Sequence, residues 1–187
     1  MTGQTASIKL NPKRILIFLL VMVGVIVGLS IWGQKIRFFG IADIRGPWHE
    51  FLLDQLMQNF YLDAEGNITT YINALLLFIP ALLLAAISSW KISVKDKFRF
   101  NWVGLALIFF FLSIDEAAVI HENMIKPMRA IAGAEGFFYF AWVIPGMVIV
   151  AIFGLVYLLF FLHLERKFKI LFFVSLAVYI GGVIGGE

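Results

Sequence analysis

The chain has 187 residues, of which 61% are hydrophobic and 14% charged, and its mean hydropathy is +0.94. Soluble domains average about 45–50% apolar and about 25% charged residues, so this composition excludes an ordinary water-soluble enzyme. The net charge of +3 comes from basic clusters between apolar runs, a pattern of membrane topology, so no nucleic-acid partner is expected. The absence of cysteine excludes disulfides, cysteine-ligated zinc and thiol nucleophiles.

Five apolar stretches approach the about 20 residues that a transmembrane helix needs. We therefore predict an all-α fold, a polytopic transmembrane helix bundle in contact with the lipid bilayer, which forms a single membrane domain over residues 1–187. The predicted spans cover residues 15–32, 72–90, 102–122, 137–162 and 168–187. Because the fifth stretch is still apolar at its last residues and has no basic flank, we expect at least one further span beyond it.

The distribution of lysine and arginine predicts the orientation. Ten of them precede the first span or lie between spans two and three or four and five: Lys9, Lys13, Arg14, Lys91, Lys95, Lys97, Arg99, Arg166, Lys167 and Lys169. Five follow spans one and three: Lys35, Arg37, Arg45, Lys126 and Arg129. The positive-inside rule then places the N-terminus in the cytoplasm. An alternative for the first stretch is a signal peptide, because a small-x-small triplet, Gly28-Leu-Ser30, follows its apolar run.

The outer segment between the first two spans, residues 33–71, contains one stretch with helical periodicity. Residues 47–60 begin with Pro47, which suits a first helical position. One face of this helix carries Trp48, Phe51, Leu52, Leu56 and Phe60. We expect an amphipathic helix that either lies on the outer membrane interface or packs on the spans as a lid.

Polar residues interrupt the third span, in Ser113-Ile-Asp115-Glu116-Ala-Ala-Val-Ile-His121-Glu122-Asn123. Counted from Trp102 at about 1.5 Å per residue, Asp115 lies about 20 Å along the helix and thus inside the outer leaflet. Carboxyl groups at that depth are costly and indicate a functional site. The alternative is a helix that ends early and leaves the acids in outer water.

An ideal helix places Asp115 and Glu122 on one face and Glu116 and Asn123 on the next strip. It directs His121 away from Asp115 unless the helix is distorted. Span five adds Glu187 near the same depth, so we predict one outer-leaflet cluster. The candidates for binding a proton or ion are Asp115, Glu116, Glu122 and Glu187; those for a metal are His121, Asp115, Glu116 and Glu122; the supporting residues are Ser113, Asn123 and His49.

These side chains are compatible with three functions. The first is binding or transport of a proton, a cation or a small solute, where a desolvated carboxyl group carries the proton. The second is a membrane-embedded metal-dependent hydrolase, with a divalent Mn, Fe or Zn ion held by carboxylates and one histidine. The third is a structural or assembly role. Transport ranks first, and the sequence leaves the substrate, enzymatic activity and oligomeric state open.

The run FLSIDEAAVIHE, with LDAEGNITTYINALLL upstream and FAWVIPG and GGVIGGE downstream, resembles an uncharacterised family of bacterial multi-pass membrane proteins. The resemblance covers residues 60–187, and the motif has the form LSIDEAxxIHE. It implies an acid-rich centre, a bacterial-type inner membrane (plasma or thylakoid-like) and a chain that continues with further acids in a last span. Glu187 would be the first acid of that second cluster. No activity comes with the resemblance.

Overall fold

A computed structural model of the chain describes residues 11–39, 46–123 and 143–185. Every regular element among these residues is a helix, which confirms the predicted all-α class. The helices are α1 (Pro12–Phe39), α2 (Pro47–Phe60), α3 (Ile68–Ser93), α4 (Arg99–Ala118), α5 (Ile120–Asn123), α6 (Val143–His163) and α7 (Arg166–Gly185).

The helices divide into two compact units. The first unit comprises the described residues of 1–76 together with 116–118, and the second comprises those of 77–115 and 119–187. The boundary passes through α3 and again near the end of α4, so both helices contribute to both units.

In the first unit, α2 packs against the C-terminal third of α1. A side chain at Gly33 would place its Cβ 3.2 Å from the Met57 Cγ, so glycine permits this close approach. The backbone N–H of Leu62 donates to the Ser30 Oγ at 3.3 Å, which ties the residues after α2 to α1. Ser30 is only 3% exposed, so its hydroxyl needs this kind of bond.

Helix α2 covers Pro47–Phe60, the range that the sequence predicts, with proline in its first turn. Its apolar residues divide between two environments. Leu53, Leu56, Met57 and Phe60 are half-buried, whereas Trp48, Phe51 and Leu52 are 76%, 53% and 62% exposed. The helix therefore both packs on a neighbouring helix and presents a separate apolar strip outward.

The turn that leads into α3 depends on the side chain of Asn67. Its Oδ1 accepts the N–H of Thr70 at 3.0 Å, which makes Asn67 the N-cap of the helix. Its Nδ2 donates to the carbonyls of Tyr61 and Ala64 at 2.8 and 2.9 Å. One amide side chain therefore holds both the turn and the first turn of α3.

In the second unit, the start of α4 packs against the end of α6 through aromatic rings. The ring of Phe160 lies 5.8 Å from Phe98 and 5.1 Å from Trp102, between centroids, in edge-to-face arrangements. The hydroxyl of Tyr157 donates to the Asn101 carbonyl at 3.1 Å. Gly104 faces that hydroxyl and leaves no room for a Cβ.

Three of the five predicted spans are confirmed as helices long and apolar enough to cross a membrane, namely Pro12–Ile36, Ile68–Ser93 and Arg99–Ala118. Among the described residues, no further helix is both long and apolar enough to cross a membrane. The fourth predicted span corresponds to α6, whose apolar part Met147–His163 is shorter, and the fifth corresponds to α7. The third span was expected to run to residue 122, and this was wrong: α4 ends at Ala118.

Candidate functional site: the end of helix α4

Helix α4 ends where Val119 adopts the left-handed conformation, with φ 55° and ψ 38°. The N–H of Val119 still bonds to the carbonyl of Asp115, which is the single closing bond of an αL helix cap. A β-branched residue rarely adopts this backbone conformation, because its Cβ crowds the following carbonyl. The chain turns here and then forms the short helix α5, which carries His121.

The turn brings His121 back onto Asp115. One carboxylate oxygen of Asp115, Oδ1, accepts the backbone N–H of His121 at 3.0 Å. The other oxygen, Oδ2, lies 3.0 Å from the ring Nδ1 of the same histidine. Both side chains are mostly buried, with 18% of Asp115 and 22% of His121 exposed. One carboxylate thus holds both the backbone and the ring of His121.

This arrangement corrects the helical geometry expected from the sequence. On a continuous helix, residues 115 and 121 point about 120° apart. The left-handed residue removes that separation, and the pair forms across a break. The usual signal for such a break is glycine or asparagine, and neither stands in Ala117-Ala-Val-Ile120. The sequence placed His121 away from Asp115 unless the helix is distorted, and the left-handed Val119 is that distortion, which no residue type near the break indicated.

Asn123 supports the turn. Its Nδ2 donates to the Val119 carbonyl at 2.8 Å, and its backbone N–H approaches the same oxygen at 3.2 Å. The carbonyl of the strained residue thus has two donors. The sequence had placed Asn123 among the supporting residues on a different argument, its position on the helix strip of Glu116.

The other predicted site residues are distributed more widely. Ser113 is buried in the second unit, with 8% of its surface exposed. Glu116 is half-buried and belongs to the first unit, as does His49, which is exposed at the start of α2. Glu122 lies in α5, but its side chain is outside the described residues, and so is the whole of Glu187. Their membership of one cluster stays a prediction.

Of the proposed metal ligands that the structure describes, Asp115 and His121 contact each other. Among the side chains that the structure describes, which do not include that of Glu122, no three His, Asp or Glu residues form a group that could hold a metal ion. Asp115 and His121 supply two such side chains, while Mn, Fe and Zn sites need at least one more. A bound metal therefore stays a prediction that rests on Glu116, Glu122 or Glu187.

The Asp115–His121 pair is suited to holding a proton. An ionised carboxylate only accepts hydrogen bonds, so with Asp115 in that form the ring Nδ1 would be the donor of the 3.0 Å contact. Histidine is the side-chain type whose ordinary charge change falls near neutral pH, and here a carboxylate holds the orientation of its ring.

The fold and this pair define a helical protein of membrane-type composition with an aspartate–histidine pair at a helix break. The chain belongs to the family described as a domain of unknown function, DUF8692, whose family model matches residues 15–187. No curated protein and no solved structure matches the chain. The family carries no described activity, so the function has to be argued from the site.

Proposed function

We propose that this chain is an integral membrane protein that binds and transfers protons at the end of α4, with the N-terminus in the cytoplasm. In this proposal α6 and α7 also cross the membrane, which gives five crossings in a bacterial-type inner membrane. The observation that carries the proposal is the Asp115–His121 pair, because it joins a carboxylate to a proton-labile base inside an apolar helix end.

Depth supports this interpretation. Arg99 begins α4, and Asp115 follows about 24 Å further along the axis at 1.5 Å per residue. A hydrocarbon core of about 30 Å then places the pair in the outer third of the membrane. Ionisable side chains at that depth face a protein interior or a water-filled cavity in most membrane proteins, and they commonly mark proton pathways.

The electrostatic arrangement favours a proton over a larger cation. A bare cation would have to replace the bond between Nδ1 and Oδ2 or find ligands beyond this pair, whereas a proton can be shared within the bond itself. Glu116, Glu122 and Glu187 are the carboxylates to which the proton would next pass in this proposal.

Proton flux into liposomes tests the proposal. The purified chain is reconstituted with a pH-sensitive dye inside, and an imposed pH gradient is allowed to decay. We expect Asp115→Asn and His121→Gln each to slow the decay by about a hundredfold, the contribution typical of a positioned proton-transfer group. Asp96→Asn is the matched control, because Asp96 also pairs with a basic side chain but lies in a turn between helices.

Wild-type decay no faster than that of empty liposomes, or equal decay in all variants, would refute proton transfer. The hydrolase would instead be supported if the chain hydrolyses an ester or amide substrate, if His121→Gln abolishes that hydrolysis, and if no proton flux is measured.

The predicted topology has its own test, which the cysteine-free sequence makes direct. Gln55→Cys and Lys97→Cys each introduce one thiol, in α2 and in the turn before α4. A membrane-impermeant reagent should label position 55 from outside the cell and position 97 only after the membrane is opened. Labelling of both positions from one side would rule out the proposed orientation.

A further inference from the structure

We propose that the two basic loops of the second unit form one docking surface for the headgroups of anionic phospholipids. Each loop is taken with its adjoining helix ends: residues 91–99 cover the end of α3, the turn after it and the first residue of α4, and residues 164–169 cover the turn after α6 and the start of α7. Together they carry seven basic residues and two acidic ones. The inference concerns the end of the protein that is predicted to be cytoplasmic, and it does not depend on proton transfer.

Packing brings the first loop against the end of α6, which the second loop follows directly in the chain. Phe98, in the first loop, lies 5.8 Å from the ring of Phe160 and 4.8 Å from the ring of His163, which ends α6. The bond from the Tyr157 hydroxyl to the Asn101 carbonyl holds the same two helices one turn further in. The basic residues on either side of this contact therefore share one end of the unit.

Part of the charge is engaged inside the loops. Lys91 pairs with Asp96 at 2.8 Å, and the ammonium of Lys169 donates to the Leu162 carbonyl at 2.6 Å at the end of α6. The remaining cations define what we call the basic surface: Lys95, Lys97, Arg99, Arg166 and Lys167. Of these, Arg99 is half-buried and the other four are exposed.

Aromatic rings accompany these cations. Lys97 lies 5.3 Å from the centroid of Phe98, Arg99 lies 4.9 Å from Phe100, and Lys167 lies 4.8 Å from Phe168. Phe100 is 70% exposed and Phe168 is 42% exposed. Cations beside exposed rings at the ends of apolar helices lie at the depth of lipid headgroups, with the rings directed towards the acyl chains.

A phospholipid fits this surface better than a soluble anion. Its phosphate would meet the lysines and arginines, and its acyl chains would lie along the exposed apolar residues of α4 and α7, such as Phe100 and Ile170. Clusters of basic residues between helices on the cytoplasmic side are a recurring form of anionic lipid site. A topology signal depends only on how many basic residues lie on one side of the membrane. A lipid site also requires that these basic residues lie next to one another.

The test measures the affinity of the purified chain for phosphatidylglycerol, titrated into detergent micelles that contain phosphatidylcholine, from the rise in thermal unfolding midpoint. The triple variant Lys97→Gln, Arg166→Gln, Lys167→Gln should bind phosphatidylglycerol about fivefold more weakly for each charge removed. The double variant Lys13→Gln, Arg14→Gln is the matched control, because it removes charges of the same sign at the start of α1 and should retain wild-type affinity.

Unfolding midpoints in phosphatidylcholine alone verify that both variants fold. The proposal is overturned if wild type binds the two lipids equally or if the control loses as much affinity per charge as the triple variant. It is also overturned if free glycerol phosphate raises the midpoint as effectively as the lipid, since the surface would then recognise the phosphate alone.

Discussion

Two acid–base pairs in the second unit have nearly the same construction and different chemistry. Lys91 and Asp96 are five residues apart and pair at 2.8 Å, while Asp115 and His121 are six apart and pair at 3.0 Å. Each pair closes over a helix end, and each spans one left-handed residue, Lys95 with φ 52° and Val119 with φ 55°. The same local device, a turn closed by a carboxylate, therefore occurs twice.

The first pair is explained by structure alone. After α3, the N–H of Asp96 bonds to the Lys91 carbonyl and that of Lys95 bonds to the Ile92 carbonyl, both at 3.0 Å, which is a Schellman cap. Asp96 then accepts the N–H of Phe98 and leads into α4. The hydrogen bond from Lys91, followed by that from the Phe98 N–H, lowers the pKa of Asp96. The charge of Asp96 therefore stabilises the turn between α3 and α4.

The second pair differs because its base is a histidine. Lysine as a residue type is protonated at neutral pH, whereas histidine is the type whose ordinary charge change falls near that pH. The two pairs therefore share their helix-end geometry and differ in the base, and the proposed proton transfer depends on that difference.

The most direct test of this comparison replaces the histidine of the second pair by lysine. Lysine at position 121 keeps a charge opposite Asp115 but holds its proton at neutral pH, so His121→Lys should reduce proton flux about a hundredfold. The control is Lys91→His, which changes the other pair and should leave the flux unchanged. Liposome flux measures both variants. Unreduced flux in His121→Lys would show that the histidine is not the proton carrier.

Removal of the acid should have the next largest effect, on stability. In Asp115→Ala the backbone N–H and the ring of His121 lose their acceptor at a mostly buried position. We expect a cost of about 1–3 kcal/mol in the free energy of unfolding. Asp96→Ala should cost less, because the flexible side chain of Lys91, which is 24% exposed, can turn its ammonium to solvent once the carboxylate is removed. Unfolding in mixed micelles compares the two, and a larger loss in Asp96→Ala would contradict this order.

Replacement of the left-handed residues by glycine should stabilise the chain, by a smaller free energy than Asp115→Ala costs. Val119 pays about 1–2 kcal/mol for its conformation, and glycine adopts that conformation without strain. We expect Val119→Gly to gain about 1 kcal/mol or less in unfolding free energy, because glycine also adds entropy to the unfolded chain. Lys95→Gly should gain less, since lysine is not β-branched. Equal or reversed gains would show that the break at residue 119 is not strained.

The smallest expected effect is the pH dependence that Asp96 confers. Because its pKa is lowered in the folded protein, its contribution to stability is present above its ordinary value of 3.8 and is lost as pH falls below that value. Asp96→Asn should therefore flatten the decrease in unfolding midpoint below about pH 4. Midpoints recorded from neutral to acidic pH test this. If the unfolding midpoint of the variant decreases at acidic pH as steeply as that of wild type, other carboxylates cause the decrease.

Local periodicity predicted much of the fold. Helix α2 begins at Pro47 and ends at Phe60 as its 3.6-residue pattern predicts, and α1 and α3 extend the predicted spans at both ends. These elements could be predicted because apolar spacing and proline act within a few residues, whatever surrounds them. Glu187 and residues 124–142 lie outside the described residues, so the predictions made there stay predictions.

By itself, the sequence determined that this is an all-helical protein with long apolar helices and that Asp115, Glu116 and His121 follow the apolar run of one of them. Only the tertiary structure decided that Asp115 and His121 pair, because that depends on one backbone choice at Val119. Valine prefers extended and right-handed conformations, so its own propensity argues against the break. The carboxylate of Asp115 and the amide of Asn123 bond to the chain only after it has turned, and their bonds offset the strain.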